Sequence, residues 1–285
     1  MILSIGEILV DMIDREGTGY VPHLGGAPFN VAVGVTRAGG QAAFCGSVGR
    51  DTWGDFVKKE CAKYGVDTHL TQDPDRNTTL AFVKLDKGER SFGFVRKNGA
   101  DAFLDADSIQ AQLANASILH IGSLPLSEET GRAVVEQAIA IAKAKGIRTS
   151  FDVNLRECVW ADNKERDRVS LQIVKECDLV KLNEEEWNDL PEMEHIVEEY
   201  PGKAIVVTLG AEGAILYKDG YQSFVPSIPV EAIDTTGAGD AFWGSLLAQV
   251  DQFGKDLYLS HEDLVAMIEV ANEYGARAVS HFGAI

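Results

Sequence analysis

The sequence contains few cysteines, and none of its apolar stretches is long enough to cross a membrane. Its four cysteines include no C-x-x-C pair, which excludes a cysteine metal cluster and a disulfide framework. No run approaches the roughly 18 consecutive apolar residues of a membrane span. The apolar N-terminus lacks a basic segment and contains Glu7, so we predict a first strand there and no signal peptide. We therefore expect a cytoplasmic protein without a membrane partner.

Basic residues are also scarce. The 285 residues include 26 Lys and Arg against 44 Asp and Glu, which gives a formal net charge of −18 at pH 7. An acidic surface argues against nucleic acid or an anionic membrane as a partner. A phosphate ligand would have to be held by local groups, because the overall field repels it. The length and the 45% hydrophobic content suit one large α/β domain with ample core.

Several nucleotide-binding and catalytic motifs are missing. The sequence has no G-x-x-x-x-G-K-[ST], no H-R-D or D-F-G set and no H-E-x-x-H. Its Gly-x-Gly at 237–239 lacks the third glycine of a dinucleotide fingerprint. These absences argue against a P-loop nucleotidase, a protein kinase, a zinc protease and a nicotinamide-dependent dehydrogenase.

The most informative stretch is Asp234–Phe242, which reads D-T-T-G-A-G-D-A-F and precedes a helical pattern. Gly237 and Gly239 lie where this helix begins, and without Cβ atoms they let a ligand approach the backbone closely. The unpaired N–H groups and the dipole of a helix N-terminus bind phosphate, and the two threonines add donors. Asp240 falls in the first turn, where aspartate is also a common cap. Spacing alone therefore leaves a phosphate site and a simple cap as equal alternatives, the first implying phosphoryl transfer with Asp240 as general base.

All nine residues of this stretch closely resemble the C-terminal signature of the ribokinase-like (PfkB) family of carbohydrate kinases. The resemblance implies that Asp240 is the catalytic base and that the backbone of Gly237, Ala238 and Gly239 forms the anion hole. It also implies an α/β fold, a ribokinase-like three-layer αβα sandwich with a mostly parallel sheet and a small β-sheet lid. ATP and Mg²⁺ are the expected cofactors, with K⁺ or another monovalent cation near Asp234.

An acid on a strand and a glycine-rich turn mark a second candidate site. Asp11 shares the apolar face of a predicted strand, where a carboxylate is costly unless it meets a partner or polar ligand. An alternative is an edge-strand charge that faces solvent. Further on, L-G-G-A-P-F-N-V-A resembles the family's sugar-binding segment, with Pro28 at the first position of a helix. The resemblance implies a sugar held by Asp11, Gly25, Gly26 and Asn30.

From Asp105 onward, apolar strands alternate with helices, which predicts a parallel sheet covered on both faces. Ligands of such sheets bind beyond the carboxyl ends of the strands. Polar residues follow three of these strands: Asp152, Asn154 and Arg156 after one, Asn183 and Glu186 after the next, and Thr208 and Gly210 after the third. Helix caps and solvated side chains explain any one group alone. Three groups on one rim favour a binding site.

The family resemblance assigns roles on this rim. Asp152–Arg156 resembles the D-x-N-x-R stretch of bacterial fructokinases and 2-keto-3-deoxygluconate kinases, which implies that Arg156 stabilises the moving phosphoryl group and that Asn154 contacts the substrate. The N-x-x-E motif at 183–186 implies Mg²⁺ placement by Glu186 through water. The last helix resembles the adenine-side helix of the family. The residues expected to contact the nucleotide are Asn183, Thr208, Gly210, Gly213, Thr235, Asn272 and Gly275.

A hairpin over Thr78–Arg96, together with the strand after Asp11, predicts a small sheet set apart from the main domain. We assign residues 1–10, 25–77 and 101–285 to the α/β core and residues 11–24 and 78–100 to the lid. The alternative is that these strands extend the main sheet. In the family such a lid is often the dimer surface, so we expect a homodimer in which Phe82, Phe92 and Phe94 lie partly at the interface.

Fructose is the first substrate expected, because Gly6–Asp11, Phe94–Asp101 and His120–Leu124 look most like bacterial fructokinases. The product would be fructose 6-phosphate. The rivals are 2-keto-3-deoxygluconate, whose carboxylate Arg96 would pair with, and ribose. A different class, a non-catalytic sugar sensor on the same fold, is disfavoured because a sensor has no need of Asp240 as a base.

Overall fold

The computed structural model describes residues 1–14, 17–86, 89–254 and 256–280, with side chains for all of these except 84–86 and 89–92. Its strands, numbered in chain order, are β1 (Ile2–Ile5), β2 (Leu9–Asp14), β3 (Tyr20–Gly25), β4 (Ala42–Gly49), β5 (Asp67–Asp73), β6 (Leu80–Asp86), β7 (Glu89–Val95), β8 (Ile118–Ile121), β9 (Arg148–Asp152), β10 (Leu179–Asn183), β11 (Ala204–Thr208), β12 (Gly213–Lys218) and β13 (Tyr221–Pro226). Its helices are α1 (Ala27–Arg37), α2 (Thr52–Cys61), α3 (Ala106–Gln112), α4 (Glu129–Ala144), α5 (Asn163–Glu176), α6 (Glu184–Asp189), α7 (Glu192–Glu199), α8 (Ala238–Phe253) and α9 (His261–Ala278). Among these helices none is long and apolar enough to cross a membrane.

The larger sheet of the described chain has nine strands in the order β13-β12-β11-β10-β9-β8-β1-β4-β5. The strands from β11 to β5 are parallel, and β12 and β13 add an antiparallel hairpin at one edge. Helices α1, α2, α8 and α9 bury apolar side chains on one face, and α3, α4, α5 and α7 do so on the other. Every residue of β1, β4 and β8 is buried, as expected for central strands covered on both sides. The predicted α/β fold with helices on both faces of a mostly parallel sheet is confirmed.

The smaller sheet, here called the lid sheet, has the order β3-β2-β6-β7. Strands β2 and β6 are parallel, and the other two pairs are antiparallel. These strands form a sheet of their own and do not extend the large one. The assignment of residues 11–24 and 78–100 to a separate domain stays a prediction, and the Phe92 side chain lies outside the described residues.

Three features of the sheets differ from what the pattern predicts. The β-like run from Ile2 to Ile13 is divided at Gly6, whose φ of 146° turns the chain from the large sheet into the lid sheet. Strand β5 and the β12–β13 hairpin were not predicted. These strands are at or near the sheet edges, where half-exposed residues weaken the apolar signal, and prolines such as Pro226 and Pro229 are more typical of loops than of strands.

Helices α1 and α8 touch through two glycines, and this contact sets the position of both helix N-termini. A methyl group at Gly34 would lie 3.2 Å from the Asp240 carbonyl oxygen, and one at Gly244 would lie 2.5 Å from the Val31 carbonyl oxygen. Backbone therefore meets backbone, with no room for a side chain between the helices.

We expect Gly244→Ala to lower the free energy of unfolding by roughly 1–3 kcal/mol, because the added methyl forces the two backbones apart. The gain in helix propensity from Gly to Ala, about 1 kcal/mol, does not offset this strain. Urea unfolding followed by circular dichroism measures the change. Gly275→Ala in α9 is the matched control, since its methyl would meet neighbours at an ordinary 3.4 Å. Equal stability of Gly244→Ala and the wild type would contradict the tight contact.

Candidate functional site

One cleft of about 780 Å³ lies at the carboxyl ends of β9, β10 and β11, between the lid sheet and the N-termini of α1 and α8. Most of the predicted site residues line it. They are Asp11, Gly26, Asn30, Asn154, Arg156, Asn183, Thr208, Gly210, Gly213, Thr235, Gly237, Ala238, Gly239, Asp240, Asn272 and Gly275. The polar residues that follow β9, β10 and β11 therefore line the same cleft as the glycine-rich turns before α1 and α8, although these segments are far apart in sequence.

Four predicted residues lie outside this lining: Gly25, Arg96, Glu186 and Asp234. Gly25 lies directly behind it, because a side chain there would collide with the Asp11 carboxylate. Asp234 is buried, and its Oδ1 accepts hydrogen bonds from the Thr236 amide and hydroxyl at 2.8 and 2.6 Å. It shapes the turn that leads into α8, and a monovalent cation beside it stays a prediction.

Arg96 is held in a buried ion pair. Its Nε donates to Asp101 Oδ2 at 2.7 Å, and its two Nη atoms donate to the Ser127 hydroxyl and the Leu124 carbonyl at 2.7 and 2.9 Å. The side chains of Arg96 and Asp101 are only 8% and 0% exposed. A substrate carboxylate would have to displace Asp101, which would leave a buried charge unpaired. This geometry argues against Arg96 as a direct ligand of the sugar.

Glu186 completes a capping box at the start of α6. The Asn183 side chain accepts from the Glu186 amide at 2.9 Å, and Glu186 Oε2 accepts from the Asn183 amide at 2.9 Å. Glu186 Oε1 accepts from the Leu155 amide at 2.7 Å. Both carboxylate oxygens thus fix the backbone of the rim. The helix-cap alternative for Asn183 is confirmed, and a water-mediated Mg²⁺ contact of Glu186 stays a prediction.

The N-terminus of α8 has the geometry of an anion site. Gly237 precedes the helix in the left-handed region, with φ 73° and ψ 0°, a conformation that glycine adopts without strain. Among the described residues no side chain caps this helix end. Gly237, Ala238 and Gly239 line the cleft, and the hydrogen bond from the Ala238 amide to the Thr235 carbonyl is long, at 3.4 Å. The positive end of the helix dipole lies at the same point, where a phosphate is stabilised.

Asp240 lies in the first turn of α8, and its Oδ2 accepts a hydrogen bond from Asn30 Nδ2 at 2.8 Å. Burial and, to a smaller extent, the neighbouring Asp152 carboxylate raise the pKa of Asp240 from 3.8 to about 6. Lys181, the Asn30 hydrogen bond and Arg156 oppose this rise. Asp240 is therefore mostly ionised at pH 7, yet it is a stronger base than an ordinary carboxylate.

An ion pair beside Asp240 was not identified from the sequence. Lys181 Nζ donates to both oxygens of Asp152, at 2.9 and 2.8 Å, and both side chains line the cleft. Burial lowers the pKa of Lys181, but the carboxylates of Asp152, Glu186 and Asp240 raise it more, so it stays charged. The signal that could have found it is a lysine within an otherwise apolar strand, which needs a buried partner.

The segment from Ser227 to Ala232, to which no role was assigned from the sequence, forms an apolar wall of the cleft. Ile228 and Val230 are 44% and 45% exposed, and both line the cleft, as do several residues of α9. Large apolar side chains that are this exposed favour the binding of a flat, apolar ring that would cover them. Other lining residues not identified beforehand are Glu7, Leu9, Phe94, Leu124, Ala211, Phe242, Ala276 and Val279.

The carboxylates of the site do not form a metal cage. In the described ranges no group of three or more His, Cys, Asp or Glu is arranged to hold a metal ion. Mg²⁺ is usually held by one or two carboxylates together with waters and substrate phosphates. The donor set around the cleft is compatible with that mode of binding.

Comparison with known proteins covers the whole molecule. Residues 1–285 match the pfkB family of carbohydrate kinases. Fructokinase-1 from Zea mays is 36% identical over 302 aligned positions, covering 100% of this chain and 93% of the maize protein. Fructokinase from Xylella fastidiosa with bound ATP superposes with a TM-score of 0.92 and 31% identity, covering 99% of this chain and 93% of that one. A double-mutant fructokinase from Vibrio cholerae O395, bound to fructose, ADP and potassium ion, gives a TM-score of 0.90 and 34% identity, with coverages of 99% and 93%.

Proposed function

Because this chain belongs to the pfkB family of carbohydrate kinases, we propose that it is an ATP-dependent fructokinase that produces fructose 6-phosphate. The observation that carries this proposal is the hydrogen bond between Asn30 and Asp240 at the mouth of the α8 anion site. It places a residue of the predicted sugar segment against the predicted base, so that an acceptor hydroxyl and a phosphate can meet there. The sequence similarity to fructokinases supports fructose as the acceptor.

The sugar lies between the lid sheet and the N-terminus of α1. Asn30 is only 6% exposed and lines the cleft, and its Oδ1 has no hydrogen-bond partner among the described residues. A buried, unpaired amide oxygen is costly unless a ligand donates to it. A sugar hydroxyl is such a donor. Asp11, on the lid side of the cleft, and the backbone of Gly26 are the further groups that we assign to the sugar.

The transfer step follows from the two ends of the Asp240 carboxylate. Oδ2 is oriented by Asn30, which leaves Oδ1 for the proton of the primary hydroxyl of the sugar. As the new O–P bond forms and the bond from the γ-phosphorus to the bridging β,γ-oxygen breaks, that proton passes to Asp240 and ADP leaves. The proton can move late, because the transition state of phosphoryl transfer is loose. Charge on the transferred group is stabilised by the amides at 237–239 and by Arg156.

The nucleotide lies along the carboxyl ends of β10 and β11 and under α9. The apolar wall at 227–232 covers one face of the purine, and Gly275 of α9 also lines this cleft. Mg²⁺, when bound with the phosphates, neutralises part of their charge. Glu186 through water and Asp234 are the residues that we assign to Mg²⁺ and to a monovalent cation such as K⁺.

A coupled assay of ADP release tests the function directly. Fructose, ribose, 2-keto-3-deoxygluconate and adenosine are compared at equal concentration with ATP and Mg²⁺. We expect the highest kcat/KM for fructose. We expect little turnover of 2-keto-3-deoxygluconate, because the Arg96 guanidinium that would bind its carboxylate is already paired with Asp101. Preference for the keto-acid would overturn the substrate assignment. Sugar binding in calorimetry without ADP release would instead favour the sugar sensor.

We also propose a cytoplasmic homodimer formed through the lid sheet. Tyr20 and Val95, both on this sheet, are 44% and 60% exposed, and Tyr20 packs edge-on against Phe82. Such exposed apolar side chains support a covered surface. All four cysteines lie in the described ranges and are free thiols, as in a reducing compartment. A monomeric mass in light scattering would exclude the dimer.

A further inference from the structure

The cleft binds a highly charged ligand with few cations of its own. Of the described residues that line it, Arg156 and Lys181 carry the positive side chains, whereas Glu7, Asp11, Asp152 and Asp240 carry carboxyl groups. The chain as a whole has a net charge of −18. The placement of each cation therefore matters for the phosphate and for the base.

Lys181 occupies a central place in this site. It is 7% exposed, and a methyl group at Gly239 would lie 3.3 Å from both its Cε and its Nζ. Its ammonium group is therefore directly against the first turn of α8, below the amides of the anion site. Two of its three N–H groups are directed at Asp152, which is 2% exposed.

The pair has a fixed geometry because the two residues are neighbours across parallel strands. Lys181 on β10 is in register with Asp152 on β9, so both side chains stand on the same face of the sheet. Asp152 brings a second carboxylate close to Asp240, and alone it would favour protonation of the base. Lys181 opposes this effect.

We propose that Lys181 is a positioning residue for the phosphoryl transfer: its pair with Asp152 holds a positive charge against the first turn of α8 and keeps the Asp240 carboxylate available as a base. This inference rests on the proposed kinase function. Lys181 acts through Asp240 and touches neither substrate in this scheme.

The groups that face Asp240 come from several elements. They are Asn30 of α1, Asp152 at the end of β9, Arg156 in the loop after β9, and Lys181 of β10, with Glu186 of α6 facing Lys181. From α9, the uncharged Gly275 lies against Ala238 and Phe242 of α8. Removing the charge of Lys181 should therefore raise the pKa of Asp240, and removing the charge of Asp152 should lower it.

The test is a charge cycle that measures kcat/KM against pH in the wild type, in the two single variants that each remove one charge of the pair, and in the double variant. The quantity compared is the acidic limb of the profile, that is, the pH at which activity is lost on the acidic side. Wild type should lose activity as pH falls through about 6, where Asp240 takes up its proton. Lys181→Met should move this limb up by about 1–3 pH units, since Asp152 is then unopposed. Asp152→Asn should move it down, and the double variant Asp152→Asn/Lys181→Met should return it close to the wild-type position.

The two single variants are expected to shift the acidic limb in opposite directions, and this distinguishes the proposed electrostatic role from a structural one. Each single variant breaks the same buried pair, so a purely structural pair predicts that both lose stability and that neither moves the limb, or that both move it alike. Either result would overturn the proposal. The Asp152→Asn and double variants test the cycle even where Lys181→Met does not fold.

A second readout does not need turnover. Carbon-13 labelling of aspartate carboxyls, with the Asp240→Asn variant to assign the signal, gives the pKa of Asp240 by NMR titration in each variant. The pKa of Asp240 should again rise in Lys181→Met and fall in Asp152→Asn. A shift in the same direction in both variants would contradict the proposal. A wild type without sugar phosphorylation would instead refute the proposed function, leaving this titration as the test of the electrostatic pair.

Discussion

Asp240→Asn should bind sugar and nucleotide but lose roughly 10²- to 10⁴-fold in kcat, the usual contribution of a general base. The amide keeps the hydrogen bond to Asn30 and the shape of the α8 turn, yet it cannot accept the proton of the acceptor hydroxyl. Steady-state kinetics with calorimetric binding of fructose measures both effects. A variant with near-normal kcat would remove Asp240 from the role of base.

The same substitution should not weaken the fold. The folded chain binds the Asp240 proton more tightly than the unfolded chain does, because burial raises the pKa from 3.8 to about 6. The ionised carboxylate therefore costs stability as pH rises through this range, and above pH 6 the amide removes that cost. Asp55→Asn is the matched control, an exposed acid in the first turn of α2, and it should leave kcat unchanged. A less stable Asp240→Asn would instead indicate a capping role.

Arg156→Met should lower kcat by roughly 100-fold, since losing one group that stabilises transition-state charge typically costs about 3 kcal/mol. Arg156 is half-buried and lines the cleft, and its Nη1 donates to the Leu155 carbonyl at 2.9 Å. The apparent KM for fructose should change little, because we assign sugar binding to other residues. Kinetics at saturating ATP and fructose separates the two parameters.

Two further variants sharpen this result. Arg156→Lys keeps the charge but loses the planar fork that matches phosphate oxygens, so it should recover only part of the activity. Arg168→Met on α5 removes an exposed arginine, 59% accessible and paired with Glu165, and should have wild-type kinetics. Wild-type kcat in Arg156→Met would show that the amides of α8 suffice for the transferred group.

The parts of the fold with strong periodicity were predictable from sequence. The predicted alternation of strands and helices from Asp105 onward is confirmed, and in α5, for example, a capping Asp162 precedes a helix along which apolar positions recur. The β12–β13 hairpin was missed, since edge strands with prolines resemble loops. The split at Gly6 was also missed, because a change of sheet leaves no periodic signal.

The candidate site shows a similar division. Short-range signals brought Asn30 and Asp240 into one hypothesis, and the structure places them in contact. Lys181 and Arg96 depended on partners that sequence alone did not identify. The Lys181–Asp152 pair exists because β10 lies beside β9 in register, and Asp101 meets Arg96 only once the chain after β7 folds back. Pairing of charges is a tertiary property, so these roles needed the structure.

The glycine contact between α1 and α8 also bears on product release. Asn30 and Asp240 belong to two helices that are locked backbone to backbone, whereas Asp11 belongs to the lid sheet. A rotation of that sheet away from the core would loosen the grip on the phosphorylated sugar while the Asn30–Asp240 couple stays intact. Under the proposed function, the proton acceptor would then stay assembled from one turnover to the next.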